Sequence, residues 1–202
     1  MGNRGILHVG QHVVRPWAHK AWVSCVLDAQ FQKRKPFSPS TYTELFFLDE
    51  ATALAAGHRP CRTCQRERHD MFNTLWTQAN RADPGAGQGA GAGRGRVPID
   101  TIDNALHAER IGPGKTGKAK RTTDATIASL PAGSVFAHAG QAWLVWHTGL
   151  HPWSFSGYQT AQALVPDTTV QVLTPVSIVN TLRVGYVPAV HPSVGKTGSS
   201  QP

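Results

Sequence analysis

The chain has 202 residues, a formal net charge of +8 and three cysteines. That length fits one ordinary domain or two small ones and is enough to bury a core. No apolar stretch reaches transmembrane length and the start, Met-Gly-Asn-Arg-Gly, has no apolar signal region, so a cytoplasmic protein with no membrane partner is expected. An odd cysteine count excludes a complete disulfide framework.

The charge is unevenly placed. Residues 1–80 hold 10 Lys/Arg against 6 Asp/Glu, residues 81–121 hold 8 against 4, and residues 122–202 hold 2 against 2. The net positive charge therefore sits in the first 121 residues, which favours a polyanionic partner, nucleic acid first.

Residues 5–9 and 21–27 read as strands from their β-branched and aromatic content. Pairing of these two strands would bring His8 and Cys25 to one face. Lys33, Arg34 and Lys35 then make a basic turn, followed by a Ser/Pro loop. Leu45–Leu48 is a short apolar run. Asp49 can accept the free amide hydrogens that open the next helix, Gly57 suits the left-handed position that ends it, and Pro60 blocks continuation. Cys61-Arg62-Thr63-Cys64 places two thiols two residues apart, and a chain turning there can point both sulfurs at one tetrahedral ion. A second helix is expected to run to about Asn80, with Met71, Phe72, Leu75, Trp76 and Ala79 on its buried face.

Residues 81–97 are Gly/Ala-rich and read as a linker, without the spacing of a phosphate-binding P-loop. Pro98 opens a helix with Ile99, Ile102 and Leu106 on one side, ending near Gly112. A basic loop with Lys115, Lys118, Lys120 and Arg121 follows. From residue 126 the pattern turns to β. Residues 134–138 and 142–147 read as a hairpin around Ala139-Gly140, and 168–173 as a further strand. Thr174-Pro175 begins a helix with Val176, Val179 and Leu182 inward and Gly185 as its stop. Trp143, Trp146, Trp153, Phe155 and Tyr158 either fill a core or form a stacking surface for unpaired bases.

The expected fold class is α+β. A small zinc-stapled mixed α/β module spans 1–80, a linker with a basic helix-loop segment spans 81–121, a small, mostly β, barrel-like domain spans 122–192, and 193–202 is a disordered tail.

The run Ala-Leu-Ala-Ala-Gly-His-Arg-Pro-Cys-Arg-Thr-Cys, residues 53–64, resembles the second half of the metal-binding domain of Ada-type DNA alkylation-repair proteins. The resemblance covers residues 43–69 and, with gaps, the first 80. It implies a zinc ion, a DNA partner and a role in DNA repair or processing. That family draws two further cysteines from earlier in the domain, one of which accepts a methyl group from a DNA phosphotriester. This chain has one upstream cysteine, Cys25, so the implied ligand set is Cys61, Cys64, Cys25 and a histidine or a water. Candidates are His8, His12, His19, His58 and His69. His8 is favoured because the opening Gly-Asn-Arg-Gly-Ile-Leu-His is similar to the start of some Ada-like zinc modules that use a histidine first.

With one thiolate fewer and Cys25 in an apolar strand, the site reads as structural rather than methyl-accepting. The function expected is thus that of a zinc-containing nucleic-acid-binding protein, DNA before RNA, with Arg59, Arg62, Arg66, Lys33, Arg34 and Lys35 as phosphate contacts. One alternative is a zinc-dependent nucleic-acid enzyme, a nuclease or a deaminase. Pro60-Cys61-x-x-Cys64 and His107-Ala108-Glu109 match the two halves of the zinc-deaminase signature, in reversed order, with His107 and Glu109 as the catalytic pair. Another alternative is a protein-interaction module in which zinc is only a staple.

Overall fold

The computed structural model describes residues 1–27, 35–81, 95–112 and 119–195. Four α-helices and eleven strands, most of them very short, make an α+β fold among these residues. None of the helices is long and apolar enough to cross a membrane.

The opening segment forms β1 (Gly2–Asn3), β2 (His8–Val9), β3 (His12–Val13) and β4 (Val23–Ser24). β2 pairs with β3 in a small hairpin, so the strand that carries His8 does not pair with the strand beside Cys25. β4 lies antiparallel to β1 and parallel to β5 (Arg59–Pro60). The expected longer strands over 5–9 and 21–27 are thus replaced by two-residue pairings; Gly5 and Gly10, both with positive φ, turn the chain on either side of β2.

Helix α1 (Glu50–Ala55) starts and stops as its sequence dictates. Asp49 Oδ1 accepts from the Thr52 amide at 2.8 Å, the N-cap bond. At the other end Gly57 donates to Leu54 O at 2.8 Å and His58 to Ala53 O at 2.9 Å, the paired bonds that close a helix around a left-handed residue, here Gly57 with φ of +79°. The next turn leads through β5 and the cysteine knuckle into α2 (Arg66–Asn80). Phe72 and Trp76 are buried on α2, but Met71 is 48% exposed and stands outside the face proposed for it.

Helix α3 (Ile99–Arg110) follows Pro98, as expected, with Ile102 and Leu106 fully buried. β6 (Thr123–Thr126), β7 (Val135–His138), β8 (Gln141–Trp146), β9 (Gly149–Ser154), β10 (Gly157–Tyr158) and β11 (Thr169–Val172) form one antiparallel sheet in the order β10-β9-β8-β7-β11-β6. The β7–β8 hairpin turns on Ala139 and Gly140, both with positive φ, as a two-residue hairpin loop requires. β10 and β6 remain at opposite edges, so this sheet is open and the barrel-like expectation is corrected. Helix α4 (Val176–Arg183) is followed by Gly185, whose positive φ turns the chain away from it. It buries Ile178, Val179 and Leu182, whereas Val176, expected inward, is 45% exposed.

The core crosses the divisions drawn on the sequence at 80 and 121. Leu54, Phe72 and Trp76 pack with Ile102 and Leu106 of α3 and with Ile178, Leu182 and Tyr186. A second cluster sets Ala51 and Ala55 of α1 against Val135, Leu144 and Tyr158 of the sheet. The alanines let α1 approach the strands closely. Polar contacts tie the same pieces together. Glu50 accepts from Arg68, from the Tyr186 hydroxyl at 2.5 Å and from the Ala189 amide at 2.8 Å, while Asp49 Oδ2 accepts from the His191 amide at 3.0 Å. Residues 193–195, placed in a disordered tail by the sequence, belong to a 3₁₀ turn whose Val194 is buried. Residues 196–202 lie outside the described residues, as does most of the Gly/Ala-rich segment.

Glu109 joins α3 to α4. Its Oε2 accepts from the Ser177 amide at 3.1 Å and the Ser177 hydroxyl at 2.8 Å, satisfying a donor in the first turn of α4. Glu109→Ala is expected to lower unfolding stability by about 1 kcal/mol, the usual worth of such a cap, as read in urea denaturation.

Candidate metal centre

Two stretches far apart in sequence bring Cys25, Cys61 and Cys64 together. Ser24 lies in β4 and pairs with Pro60 of β5, so the residues that follow each strand, Cys25 and Cys61, leave the sheet side by side. The Cys61 amide donates to Ser24 O at 2.9 Å and the Cys25 amide to Met1 O at 2.6 Å, which pins both positions. The knuckle then turns: Gln65 N donates to Cys61 O at 2.9 Å, and the Gln65 side chain reaches Ser24 O at 2.8 Å. As a result the three Sγ atoms lie within 4.8 Å of one another. All three residues are half-buried, and none is in a disulfide.

This arrangement fits a tetrahedral thiophilic ion. Thiolates at about 2.3 Å from zinc lie roughly 3.8 Å apart, inside the observed limit. The neighbouring Thr63 and Cys64 amides favour the thiolate of Cys61, and the Val26 amide that of Cys64. Amide dipoles so placed stabilise the charged sulfur that a metal needs. The hydrogen bond from Cys25, supported by these amides, draws Cys61 down to about 4 against the opposing effect of burial. The same bond, followed by burial, pushes the Cys25 thiol up, and burial raises Cys64 as well. A divalent ion would displace the protons retained by Cys25 and Cys64.

The other candidate residues are placed elsewhere. His8 is buried, its Nδ1 2.6 Å from Thr43 Oγ1 and its ring 4.9 Å from that of Phe37. His58 is buried and its Nε2 accepts from Arg4 Nε at 3.2 Å, while burial lowers its basicity further. His69 Nδ1 donates to Pro60 O at 3.1 Å. His12 is exposed in β3. Among the described residues the convergent group is formed by the three cysteines alone, without His8, His12, His19, His58 or His69. His107 packs edge-on against Trp17, with ring centroids 4.6 Å apart, and Glu109 is engaged by Ser177. Neither joins the sulfur cluster, so the sequence's two deaminase half-motifs are not assembled into one site.

Cys25 also borders a cavity of about 190 Å³, with Phe47, Asp49, Glu50 and Gln65 on its walls. The shielding expected for Cys25 is therefore incomplete.

The basic residues divide into two groups. Arg59, expected as a phosphate contact, is buried, and its Nε and Nη2 donate to the two carboxylate oxygens of Asp103, each at 2.7 Å. It is a structural ion pair between β5 and α3. Arg62 and Arg66, on either side of Cys64, are exposed, as is Lys35. Arg62 also lines a cavity of about 340 Å³ with Arg59, His69, Asn73 and Arg96. Lys33 and Arg34 lie outside the described residues. Of the aromatic residues offered for base stacking, Trp143 and Tyr158 are buried, Trp146 and Trp153 are half-buried, and Phe155 is 94% exposed.

Compared with family models, with curated proteins and with solved structures, the chain matches none.

Proposed function

We propose that the chain is a zinc-stapled nucleic-acid-binding protein, with DNA the preferred partner, and that Cys25, Cys61 and Cys64 hold the ion in a structural role. The observation that carries this reading is the convergence of three sulfurs within 4.8 Å of one another. Zinc would supply cross-linking of the segments after β4 and β5, which are otherwise joined by two-residue pairings. The helix end at Gly57 and the knuckle support the likeness to an Ada-type metal-binding module in this stretch.

Nucleic acid is supported by the net charge of +8 and by exposed Arg62 and Arg66 flanking the knuckle. Arginines so placed contact phosphates and position a strand without reading its sequence. Duplex DNA binding is expected to weaken as salt rises, and each of Arg62→Ala and Arg66→Ala to reduce the slope of log K against log salt by about one. Fluorescence anisotropy over a salt series checks this. Binding indifferent to salt, or unaltered slopes in both variants, would sink the nucleic-acid assignment.

A further inference from the structure

A second site lies apart from the thiols, and it is a pocket of positive charge. Trp22, 4% exposed, lies beneath two guanidiniums: Arg4 Cζ and Arg110 Cζ are each 3.8 Å from its ring centroid. Both arginines line a cavity of about 150 Å³ together with Lys120, Pro16, Ile111 and Ala119. Aspartate and glutamate are absent from its described lining.

The donors here are only partly used. Arg110 is 2% exposed and gives Nη1 to Gly57 O at 2.6 Å and Nη2 to Lys20 O, but its buried Nε has no partner. Arg4 gives Nε to His58, and its two Nη atoms find no partner among the described residues. Lys120 gives one of its protons to Ala55 O at 2.8 Å. Burial draws Arg110 down to about 9, an effect that Asp103 and Glu109 oppose and that Arg4 and Arg59 reinforce. Carbonyl oxygens and an indole face offset part of the cost of gathering three cations, yet they carry no full negative charge. Folding has assembled a site that a compact anion would complete.

We infer that this pocket, lined by Arg4, Arg110 and Lys120 over Trp22, binds the phosphoryl group of a phosphate monoester. A phosphoryl dianion matches three cations better than a carboxylate or the single charge of a phosphodiester. Its peripheral oxygens suit guanidinium and ammonium donors approaching from several directions. The cavity has room for a few water volumes of about 30 Å³ each, which suits a phosphoryl group and not a whole nucleotide. The indole is already engaged by the two guanidiniums, so the pocket selects the phosphoryl group and not a base. The monoester has two sources, a small phosphorylated metabolite or the phosphorylated end of a nucleic-acid strand.

The test uses the full chain, with inorganic phosphate as the first probe, in thermal melts and calorimetry against chloride at equal ionic strength. Phosphate at about a hundred times its dissociation constant is expected to raise the melting temperature measurably. Lys120→Met and Arg4→Met are expected to weaken phosphate binding about tenfold or more each; Lys120→Met remains folded, since removing one of three like charges relieves repulsion, while Arg4→Met also deprives buried His58 of its donor and costs some stability. Arg110→Met is unsuitable alone, because Arg110 also holds Gly57 and Lys20 in place. A 5′-phosphorylated oligothymidylate binding more tightly than its 5′-hydroxyl twin, with the difference lost in Lys120→Met, assigns the strand end; equal binding of the two, with phosphate still bound, assigns a small phosphorylated metabolite. No stabilisation by phosphate over chloride, or undiminished phosphate binding in both variants, overturns the inference. That failure would leave the zinc and duplex-DNA reading untouched, since Arg62 and Arg66 are not among the cavity's residues.

Discussion

Cys61→Ser is expected to abolish stoichiometric zinc and to release the opening sheet from the rest of the fold. The strands that hold Cys25 and Cys61 in place are two residues long and pair through a few backbone bonds. Isolated pairings of that length are not stable in water. An ion shared by three sulfurs would supply the missing constraint, and in small zinc domains such binding contributes about 10 kcal/mol or more to folding. Part of that is offset here, because Leu54 and Phe72 anchor neighbouring helices to a core that includes α3 and α4. A net loss of about 5 kcal/mol, or roughly 10–20 °C in melting temperature for a chain of this size, is the expected outcome. Elemental analysis with differential scanning calorimetry, before and after chelation, reads both halves of the prediction. A purified wild-type protein without a stoichiometric transition-series ion would remove the metal centre from this account.

The same centre has a pH signature with a defined sign. Cys25 and Cys64 are pushed up and retain their protons near neutrality, whereas Cys61 is drawn down to about 4. Ion uptake must therefore release protons, and affinity must rise with pH and fall as the solution is acidified. Calorimetry in buffers of different ionisation enthalpy counts the protons released.

Arg59→Met carries the second large effect. It would leave the Asp103 carboxylate, 4% exposed, without the guanidinium that meets both its oxygens. Breaking one side of a buried pair costs about 3–5 kcal/mol, because the remaining charge stays desolvated. The paired replacement Arg59→Met with Asp103→Leu is expected to recover most of that loss, since two apolar side chains need no partner. Urea denaturation of the two single variants and the double variant measures the coupling. The double variant also separates structure from binding: its DNA affinity should match that of the wild type, in contrast to Arg62→Ala. Weakened DNA binding in a fully stable double variant would return Arg59 to the phosphate-contacting group.

How much of this could be read along the chain depends on the range of the interaction. Asp49, Gly57, Pro60 and the Cys61–Cys64 spacing act within a few residues, and the capped helix, its left-handed stop and the knuckle lie where the sequence put them. The Ala139-Gly140 turn and the stop at Gly185 are local in the same sense. Burial was harder. Met71 and Val176 have the right residue type and period but face solvent, because a helical period marks a stripe without saying how much of it a neighbour covers.

Arg59 is the clearest case of a residue whose role is decided at a distance. In sequence it is one more base beside a basic knuckle; in the fold Asp103, 44 residues later, claims it. Arg4, Trp22, Arg110 and Lys120 are likewise scattered, and no motif links them, yet packing of the opening segment on α3 sets them around one cavity. The sequence by itself determined the local signals: where helices start and stop, that two thiols share a turn, and that the first 121 residues carry the net positive charge. Tertiary structure alone decided which cations are spent on carboxylates, and that of Cys25 and His8, both expected at the knuckle, Cys25 meets it and His8 does not. The physical reason is that capping and turn geometry are satisfied within one or two turns of chain, whereas burial, charge pairing and ligand convergence depend on which distant surfaces pack together.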